Sequence, residues 1–522
     1  MVGPKLQDDL FVILTRFRSH IHALTADIEK MYRQIRVHPV DTKYQKIIYR
    51  NGPQASINTY TLDTVTYGTA SASHLAVRSL HQLAKDEGHL YPLAATVLMR
   101  DFYVDDVLTG ANSLTEAALL RDQLNELLKK GGFNLRKWAS SSPALISNYP
   151  EHPTSTHMSL NLEATVKTLG IHWNSREDTL FYSVNLSKFK SFTKRTILSQ
   201  IAKLFDPLGF LGPVIVYAKI IIQLCWKSGV SWDESIPQNI HEMWVAYQEQ
   251  LSLLEKLRFP RCLICPGVLN IQIHGFCDAS EKAYGACLYL RSTTCEGAVQ
   301  VQLICSKSRV APASTVSLPR LELCGAVLLA NLYTTVRESL LLAIDDVYLW
   351  SDSTIALHWL KTPPHRLKTF VANRVVEVQR MTPHCHWRHL SSQDNPADFI
   401  SQGQLPSEFI KNTLWPRGPA WLTFNSDFWP QRVLQTIDIP EIKPNIEELI
   451  ACLALNFKGI NVLERYSSFG KLQRVIAYVL RFIHNIKNTA QRRAGALTPL
   501  ENSGSHSLIM RLTQYSAFLK EI

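Results

Sequence analysis

The sequence predicts a multidomain protein that combines α+β and α/β architecture. Its 522 residues are enough for about three domains, and 46% hydrophobic with 19% charged residues is typical of a globular chain. The N-terminal third alternates short apolar strands with amphipathic helices. A later segment, residues 269–398, begins with three strands and continues with alternating helices and strands, a pattern that favours one mixed sheet covered by helices.

The net charge indicates which class of partner the protein binds, and the cysteine content indicates the redox state of its compartment. The chain has 55 Lys and Arg against 44 Asp and Glu, a net charge of +11, which favours a polyanion such as nucleic acid as the partner. Ten cysteines at irregular spacing, without a signal peptide, indicate a reducing compartment. The most apolar window, Leu208 to Trp226, contains Pro213, Lys219 and Gln223, so it predicts a buried helix and no transmembrane segment.

Two adjacent carboxylates, Asp105 and Asp106, interrupt the apolar and aromatic run from Phe102 to Leu108. The run predicts a buried β-hairpin with its turn at the acids. Burying two like charges is costly, because each carboxylate raises the pKa of the other and both lose hydration. A divalent cation such as Mg²⁺ would compensate them. For an isolated acidic pair, the alternative is a solvated turn.

Further elements are predicted on both sides of this hairpin. Asp27 follows an apolar strand-like run, where a lone Asp is either a ligand or a helix N-cap. Residues 45–50 and 57–62 alternate around an Asn-Gly-Pro turn and predict a second hairpin. Helices are predicted from Leu6 to Phe17, from Tyr67 through Leu83 and from Leu114 to Lys130.

Five motifs in this order resemble motifs A to E of a reverse transcriptase palm. They are the Asp27 strand, the helix led by Gly68, Tyr103-Val104-Asp105-Asp106, the late Lys137 and Leu169-Gly170-Ile171-His172-Trp173. The amino-acid sequence of several segments is similar to that of the BEL/Pao class of long-terminal-repeat retrotransposons. The segments that carry this similarity are Ala26 to Tyr32, Tyr103 to Asp106, Thr193-Lys194-Arg195 and Phe205-Asp206-Pro207-Leu208-Gly209.

The resemblance implies a role for each motif. Asp27 and Asp105 would hold two Mg²⁺ ions, with Asp106 completing the acidic set, and Lys137 would lie near the leaving pyrophosphate. Four further residues would bind substrate: Tyr32 beneath the incoming sugar, Tyr67 and Gly68 in motif B, and Gly170 at the primer end. Two metals suit such chemistry, because phosphoryl transfer builds charge on both the attacking and the leaving oxygen.

Two departures from the polymerase pattern stand out. Only 26 residues precede Asp27, where relatives carry fingers with basic residues that clamp the triphosphate. Tyr67 stands where many retroviral relatives have Gln, although a Tyr there fits the BEL/Pao class. We therefore expect an N-terminally incomplete polymerase module.

The second module resembles the ribonuclease H fold. Its predicted order is three strands (269–278, 284–290, 299–306), a helix (319–342), a strand (346–350), a helix (368–380), a strand (386–389) and a last helix from Asn395. Ser353 is placed to cap the helix that follows the fourth strand.

Four acids lie where this family places its catalytic set: Asp278, Glu322, Asp352 and Asp398. Singly, each could be a cap or a solvated side chain. Together they imply a site with two Mg²⁺ ions, or Mn²⁺ as the alternative, in which a metal-activated water attacks the RNA strand of a hybrid. His389 would help protons and product leave.

The remaining segments carry weaker signals. Residues 187–263 are basic and helical in pattern, and we expect a thumb or connection along the duplex, with Lys188, Lys190, Lys194 and Arg195 either on phosphates or on a solvated face. Cys262 and Cys265 have no second pair at zinc spacing, so we expect unliganded thiols. Beyond residue 405 we expect a linker from Asn425 to Glu448 and amphipathic helices over 469–483 and 507–522. No zinc cluster can be assembled from His484, His506 and Cys452.

The expected domains are a palm with truncated fingers (1–175), a thumb or connection (176–266), a ribonuclease H-like domain (267–405) and a helical segment leading towards an integrase (406–522). The resemblance implies a Pol fragment that acts as RNA-directed DNA polymerase and ribonuclease H. Its partners would be an RNA template, a DNA primer, RNA/DNA hybrid, deoxynucleoside triphosphates and other Pol or Gag products. The expected compartments are a cytoplasmic retroelement particle or the nucleus, without a membrane. Two alternatives are a remnant with ribonuclease H activity only, and a nucleic-acid-binding protein without catalysis.

Overall fold

A computed structural model of the chain describes residues 2–147, 157–159, 169–185, 191–312, 314–431, 439–443, 466–488 and 492–517. It contains two compact units, Met1–Ile442 and Lys443–Ile522. Sixteen α-helices and fifteen strands lie in the described ranges, so the predicted mixed α+β and α/β class is confirmed. None of the helices in these ranges combines the length and apolarity that a membrane crossing requires.

The N-terminal part of the first unit is built around a four-stranded antiparallel sheet. Its elements are α1 (Leu10–Phe17), β1 (His22–Ile28), α2 (Pro39–Thr42), β2 (Lys46–Tyr49), β3 (Asn58–Thr61), α3 (Ala72–Glu87), α4 (Pro92–Arg100), β4 (Phe102–Tyr103), β5 (Asp106–Ala111), α5 (Leu114–Lys130) and β6 (Leu135–Ser140). The strand order is β4-β5-β1-β6, and β2 pairs separately with β3. Helices α3, α4 and α5 contribute buried side chains to the hydrophobic core that β1 and β5 also share.

A second antiparallel sheet and three helices follow. They comprise β7 (His157–Ser159), β8 (Leu169–Asn174), β9 (Thr179–Val184), α6 (Lys194–Ile201), α7 (Gly212–Lys227), α8 (Gln238–Gln250) and β10 (Arg258–Pro260), with strand order β10-β9-β8-β7. Helix α7 buries ten of its sixteen residues. The apolar window is therefore a buried helix, as the sequence predicts.

The third sheet has five strands in the order β13-β12-β11-β14-β15. Its elements are β11 (Val268–Ala279), β12 (Ala283–Thr294), β13 (Val299–Val310), α9 (Leu318–Ser339), β14 (Asp346–Ser351), α10 (Thr354–Lys361), α11 (Thr369–Met381), β15 (His386–His389), α12 (Asp398–Gln402), α13 (Pro406–Phe409) and α14 (Leu414–Arg417). The first three strands pair antiparallel, whereas β14 lies parallel to both β11 and β15. The predicted order of strands and helices is confirmed.

The second unit contains two described helices, α15 (Phe469–Lys487) and α16 (Pro499–Ala517). Leu472, Ile476 and Ile509 form their shared core. Arg481 forms a bidentate ion pair with Glu501, and both side chains are almost fully buried. The last predicted helix begins at residue 499 instead of 507, and residues 518–522 lie outside the described ranges.

Several predicted boundaries differ from the structure. Helix α1 begins at Leu10 and not at Leu6. Helix α3 begins at Ala72, because Gly68 has a φ of +82° and the Thr69 amide closes a turn onto the Thr66 carbonyl. Helix α4 was not predicted. By contrast, α5 has the predicted limits, and the hairpin of β2 and β3 is confirmed.

Two buried guanidinium groups tie these parts of the first unit together. Arg18 and Arg261 are 1% and 0% exposed. Arg18 donates to backbone carbonyls at Ile304 on β13 and at Arg261 itself, while Arg261 donates both to the carboxylate of Asp178 and to the carbonyl of Phe17. Arg18 also donates to the carbonyl of Pro260, and Arg261 also donates to the carbonyls of His20 and Ile21. The N-terminal segment, the β8–β9 turn and the third sheet are thereby joined.

We expect Asp178→Asn to destabilise the first unit. Asn tolerates the left-handed conformation of this position (φ +52°) but removes the charge that pairs with the buried Arg261. The expected loss in the free energy of unfolding is about 3 kcal/mol, the lower end for breaking a buried ion pair. Urea denaturation measures it. Asp233→Asn, which breaks the exposed pair with Arg195, is the control and should change little; equal effects of the two substitutions would contradict the prediction.

Candidate active sites

Three carboxylates meet at one edge of the third sheet. Asp278 is the second-last residue of β11, Asp352 follows the end of β14, and Asp398 begins α12. One oxygen from each carboxylate lies within 4.8 Å of the others. Because β11 and β14 are parallel neighbours, their carboxyl ends lie at the same edge, and this topology brings the two aspartates together. In the described part of the chain, this is the one group of three acidic or metal-ligating side chains so close together.

Glu322, the fourth predicted acid, lies on the first turns of α9 and reaches the site through Ser353. The Ser353 hydroxyl donates to the Glu322 carboxylate and accepts from the Ala356 amide, so it also caps α10 as predicted. Helix α9 comes close to β11 here, since a Cβ at Gly325 would lie 3.1 Å from the Asp278 carbonyl oxygen. Glu322 is thus held beside the three aspartates.

The surroundings of Asp352 fix its orientation. The Ser392 hydroxyl donates to the Asp352 carboxylate at 2.7 Å. His389, at the end of β15, donates through Nε2 to the Asp352 backbone carbonyl at 3.1 Å. This contact places the His389 ring beside the backbone of Asp352. Ser392 was not predicted from the sequence.

Burial controls the protonation of this site. Burial raises the pKa of Glu322 to about 7. It also raises the pKa of Asp278 and of Asp398, and the nearby Asp352 raises both further. Asp278 is 7% exposed, and the neighbouring Asp398 raises the pKa of Asp278 further, which keeps the Asp278 carboxyl group protonated to higher pH. Without a cation, the site therefore retains protons near neutral pH.

The donor set suits a hard divalent cation. Three carboxylate oxygens, one of them from a buried side chain, are the ligands that Mg²⁺ and Mn²⁺ prefer. None of the four acids forms an ion pair with a Lys or Arg in the described ranges, so a bound cation would provide the missing positive charge.

The second acidic site lies on the first sheet. Asp27 on β1 is opposite Asp106, the first residue of β5, whereas Asp105 lies in the preceding turn. Because the resemblance pairs Asp27 with Asp105 as metal ligands, Asp105 was the residue expected to face Asp27 across the strands. The register shows Asp106 there, because the two-residue turn leaves Asp105 outside the ladder, where its carbonyl accepts from the Ile28 amide. Asp27 belongs to a strand and does not cap a helix.

A lysine already neutralises part of this second site. The Lys137 ammonium lies 2.7 Å from one Asp27 oxygen, although the lysine side chain is largely exposed. This contact raises the pKa of Lys137. Burial raises the pKa of Asp106 to about 7, and it also raises the pKa of Asp105. The site thus holds three acids of the expected set and an internal cation.

Aromatic side chains flank the second site. Tyr32 follows β1, and its ring lies 4.7 Å from that of Tyr67, centroid to centroid. The Tyr32 hydroxyl is 3.3 Å from Ser73 Oγ. Gly68 follows Tyr67 with a positive φ, which favours glycine. The predicted substrate-binding residues of motifs A and B are therefore neighbours, while Gly170 lies on β8, in register with Ser183 of β9.

The basic segment before α6 differs from the expectation. Lys194 is 5% exposed, and its ammonium lies 4.4 Å from the centre of the Trp226 ring. Arg195 pairs with Asp233. Lys194 is therefore part of a cation–π contact and is not free to bind phosphate. Lys188, Lys190 and Cys452 lie outside the described residues.

The predicted cysteine pair and C-terminal histidines make local contacts. The Cys262 thiol donates to the Ile264 carbonyl, and Cys265 lies 3.5 Å from the Ser292 hydroxyl. The ring of His506 packs against Phe469 in the second unit.

Comparison with protein families finds a match over part of the chain. Residues 193–353 match the family model described as Pao retrotransposon-like RNaseH-like domain. The chain resembles a BEL/Pao retrotransposon Pol fragment. The resemblance inferred from its motifs is thereby confirmed, and the matched range includes Asp278, Glu322 and Asp352 but ends before Asp398. No curated protein matches the chain.

Solved structures of the foamy viral protease–reverse transcriptase are also similar. One, of the form named dRH with double-stranded DNA, has a TM-score of 0.47 at 12% identity, covering 75% of this chain and 60% of that one. Another, with RNA/DNA hybrid, has a TM-score of 0.46 at 11% identity and covers 75% of this chain and 46% of that chain. A third, with double-stranded DNA, has a TM-score of 0.46 at 12% identity and covers 75% of this chain and 72% of that chain. This chain thus spans between about half and three quarters of those chains.

We expect Asp278→Asn to stabilise the metal-free protein more at pH 8.5 than at pH 5.5. The folded state keeps a proton on Asp278 that the unfolded chain loses above about pH 4, so the stability of the wild type falls as pH rises from there to the raised pKa of about 8. The gain at pH 8.5 should exceed the gain at pH 5.5 by at least about 1 kcal/mol, since one pKa unit corresponds to about 1.4 kcal/mol. Thermal unfolding in EDTA measures it, with Asp346→Asn on the neighbouring strand β14 as control. A gain of equal size at both pH values would refute the prediction.

Proposed function

We propose that this chain hydrolyses the RNA strand of RNA/DNA hybrids at the site formed by Asp278, Asp352, Asp398 and Glu322. The observation that carries the proposal is the approach of three carboxylates, from separate elements, to within 4.8 Å. Phosphodiester hydrolysis with bound metals requires such a group of oxygen ligands. The family match over residues 193–353, described as RNaseH-like, supports the same chemistry.

In this proposal the carboxylates hold Mg²⁺, or Mn²⁺ in its place, with two ions expected per site. When bound, the ions lower the pKa of a water molecule and neutralise charge on the phosphate. The buried position of Asp278 supports this role, because its charge is unfavourable until a cation is close.

The surrounding residues would orient these ligands. Ser392 fixes one Asp352 oxygen, and Ser353 fixes Glu322, so neither acid has to reorganise during the reaction. His389 is anchored to the Asp352 carbonyl, where its imidazole can accept and release a proton near the product. A requirement for a neighbouring 2′-hydroxyl would select RNA over DNA.

The test uses a labelled RNA/DNA hybrid with Mg²⁺. We expect Asp352→Asn to reduce cleavage by more than the roughly 10–100-fold that follows removal of an outer-shell partner. Asp346→Asn, at the opposite end of β14, is the matched control and should leave cleavage unchanged. Ser392→Ala should give an intermediate loss. Cleavage that survives Asp352→Asn would eliminate the proposal and leave a nucleic-acid-binding protein without catalysis as the alternative.

A second candidate function is RNA-directed DNA synthesis at the first sheet. The opposition of Asp27 and Asp106 across neighbouring strands, with Tyr32 and Tyr67 beside them, supports it. In this reading Asp105 and Asp106 complete the metal site, Lys137 assists the leaving pyrophosphate, Gly68 and Gly170 lie along the substrate, and Tyr32 excludes ribonucleotides. An RNA template, a DNA primer and deoxynucleoside triphosphates would be the partners.

We expect hybrid cleavage to exceed nucleotide incorporation in the same protein. Lys137 occupies one oxygen of Asp27, so a metal must compete with an ion pair there, whereas the carboxylates of the third sheet have no such competitor in the described ranges. Both activities are measured on wild type, Asp105→Asn and Asp352→Asn. Each substitution should abolish one activity and spare the other. Faster incorporation than cleavage by the wild type would show the ranking to be wrong.

The remaining assignments follow from the resemblance. We propose the domain division 1–175, 176–266, 267–405 and 406–522 as palm, thumb or connection, ribonuclease H-like domain and helical segment. We further propose that the chain acts within a cytoplasmic retroelement particle or the nucleus, together with other Pol or Gag products. Limited proteolysis and co-purification test these two points.

A further inference from the structure

The stretch from Phe205 to Gly209 fixes helix α7 against the third sheet. The carboxylate of Asp206 accepts from the hydroxyl of Tyr182 at 2.6 Å and from the Leu211 amide at 2.8 Å, at the start of α7. The Ser306 amide on β13 donates to the Leu208 carbonyl, and the Ser306 hydroxyl donates to Gly209. Gly209 has a φ of +71°, and a Cβ there would lie 2.1 Å from the Ser306 carbonyl oxygen. The loop thus requires glycine for its close approach to β13.

This attachment creates a groove of about 960 Å³ between α1, α7, β13, α9 and α11. One wall carries Lys219 from α7 together with Lys307 and Arg309 from β13. The opposite wall is α9, including Asn331 and Thr335. The volume of the groove is at the upper end of the range of about 300–1,000 Å³ that is typical of small-molecule pockets.

The three cations have no carboxylate partner among the described residues. The nearby Asp206 carboxylate is already occupied by Tyr182 and backbone amides. Burial lowers the pKa of Lys219; the Asp206 carboxylate raises it in part and the charge of Lys307 lowers it again, so on balance the charged form of Lys219 is disfavoured. An anionic ligand would remove this penalty.

The other charged groups of the groove already have local contacts. Asp9 forms an ion pair with Lys5. Glu377 accepts from the Asn331 amide at 3.3 Å. Arg374 lies 3.5 Å above the centre of the Phe370 ring and donates to its carbonyl. The unpaired positive charge is therefore concentrated on the wall formed by α7 and β13.

We propose that this groove binds the sugar–phosphate backbone of a single-stranded nucleic acid, with Lys219, Lys307 and Arg309 on successive phosphates. A groove of this volume holds a few nucleotides of one strand and excludes a duplex. Lysine and arginine side chains on one wall fit a row of phosphates, and the polar α9 wall can face sugars and bases. The proposal does not depend on cleavage at the carboxylates of the third sheet.

The test measures fluorescence anisotropy of labelled dT12 and rU12 in EDTA, on the full chain with Asp352→Asn to prevent cleavage. We expect Lys219→Met with Lys307→Gln and Arg309→Gln to weaken binding at least about tenfold at low salt. The slope of log K against log salt should fall by about 2, because each phosphate contact with a single strand contributes about 0.7. Lys130→Gln, an exposed lysine at the end of α5, is the control.

Two additional variants keep the result interpretable. Arg309→Gln alone removes an exposed side chain and should weaken binding without changing thermal unfolding. Lys219→Arg should retain binding.

Ultraviolet crosslinking of rU12 that contains 4-thiouridine should label peptides from residues 206–219, 306–309 or 324–335. Unchanged affinity and salt slope in the triple variant, or crosslinks only elsewhere, would overturn the proposal. So would tripolyphosphate or ATP binding as tightly as the oligonucleotides, since the ligand would then be a free polyphosphate.

Discussion

The first unit depends on two guanidinium groups that have almost no contact with water. Arg18 and Arg261 each present several N–H donors in a fixed plane, and this geometry lets two side chains satisfy carbonyls on three different segments. Burial lowers the pKa of Arg18 to about 9, so it stays charged at neutral pH and has to keep these acceptors. A lysine at either position could not reproduce the planar fork. The spacing between the first and third sheets therefore rests on polar contacts as much as on apolar packing.

The sequence predicts the elements whose residues are periodic and the acids that lie at their ends. Asp278 and Asp352 could be predicted to meet, because the carboxyl ends of neighbouring parallel strands lie at one sheet edge. The roles of Arg261 and Ser392 could not, since each depends on a partner far away in sequence and leaves no periodic signal. Lys194 was misjudged for a similar reason, because its Trp226 partner is on another helix. Even within a correct hairpin, the turn decided whether Asp105 or Asp106 faces Asp27.

The two acidic sites of the molecule handle negative charge differently. Beside Asp27, a lysine from the neighbouring strand supplies a permanent but largely exposed positive charge. Beside Asp278 no Lys or Arg pairs with the carboxylates in the described ranges. Hydroxyl groups donate to Glu322 and Asp352, and the raised pKa values of Asp278 and Glu322 reduce the negative charge. Ionisation of the third-sheet acids at high pH is therefore unfavourable. Under the proposed function a bound divalent cation would offset this cost, whereas Lys137 already offsets part of the negative charge at the first sheet.

The contact between Arg18 and the Ile304 carbonyl joins residues 286 positions apart, and it has a consequence for synthesis on the ribosome. Translation proceeds at roughly 5–20 residues per second, so the acceptor emerges about 15–60 s after the arginine. During that interval the guanidinium group must remain hydrated, and helix α1 lacks its final neighbours. The N-terminal segment of the nascent chain therefore stays open to chaperones until the third sheet has formed.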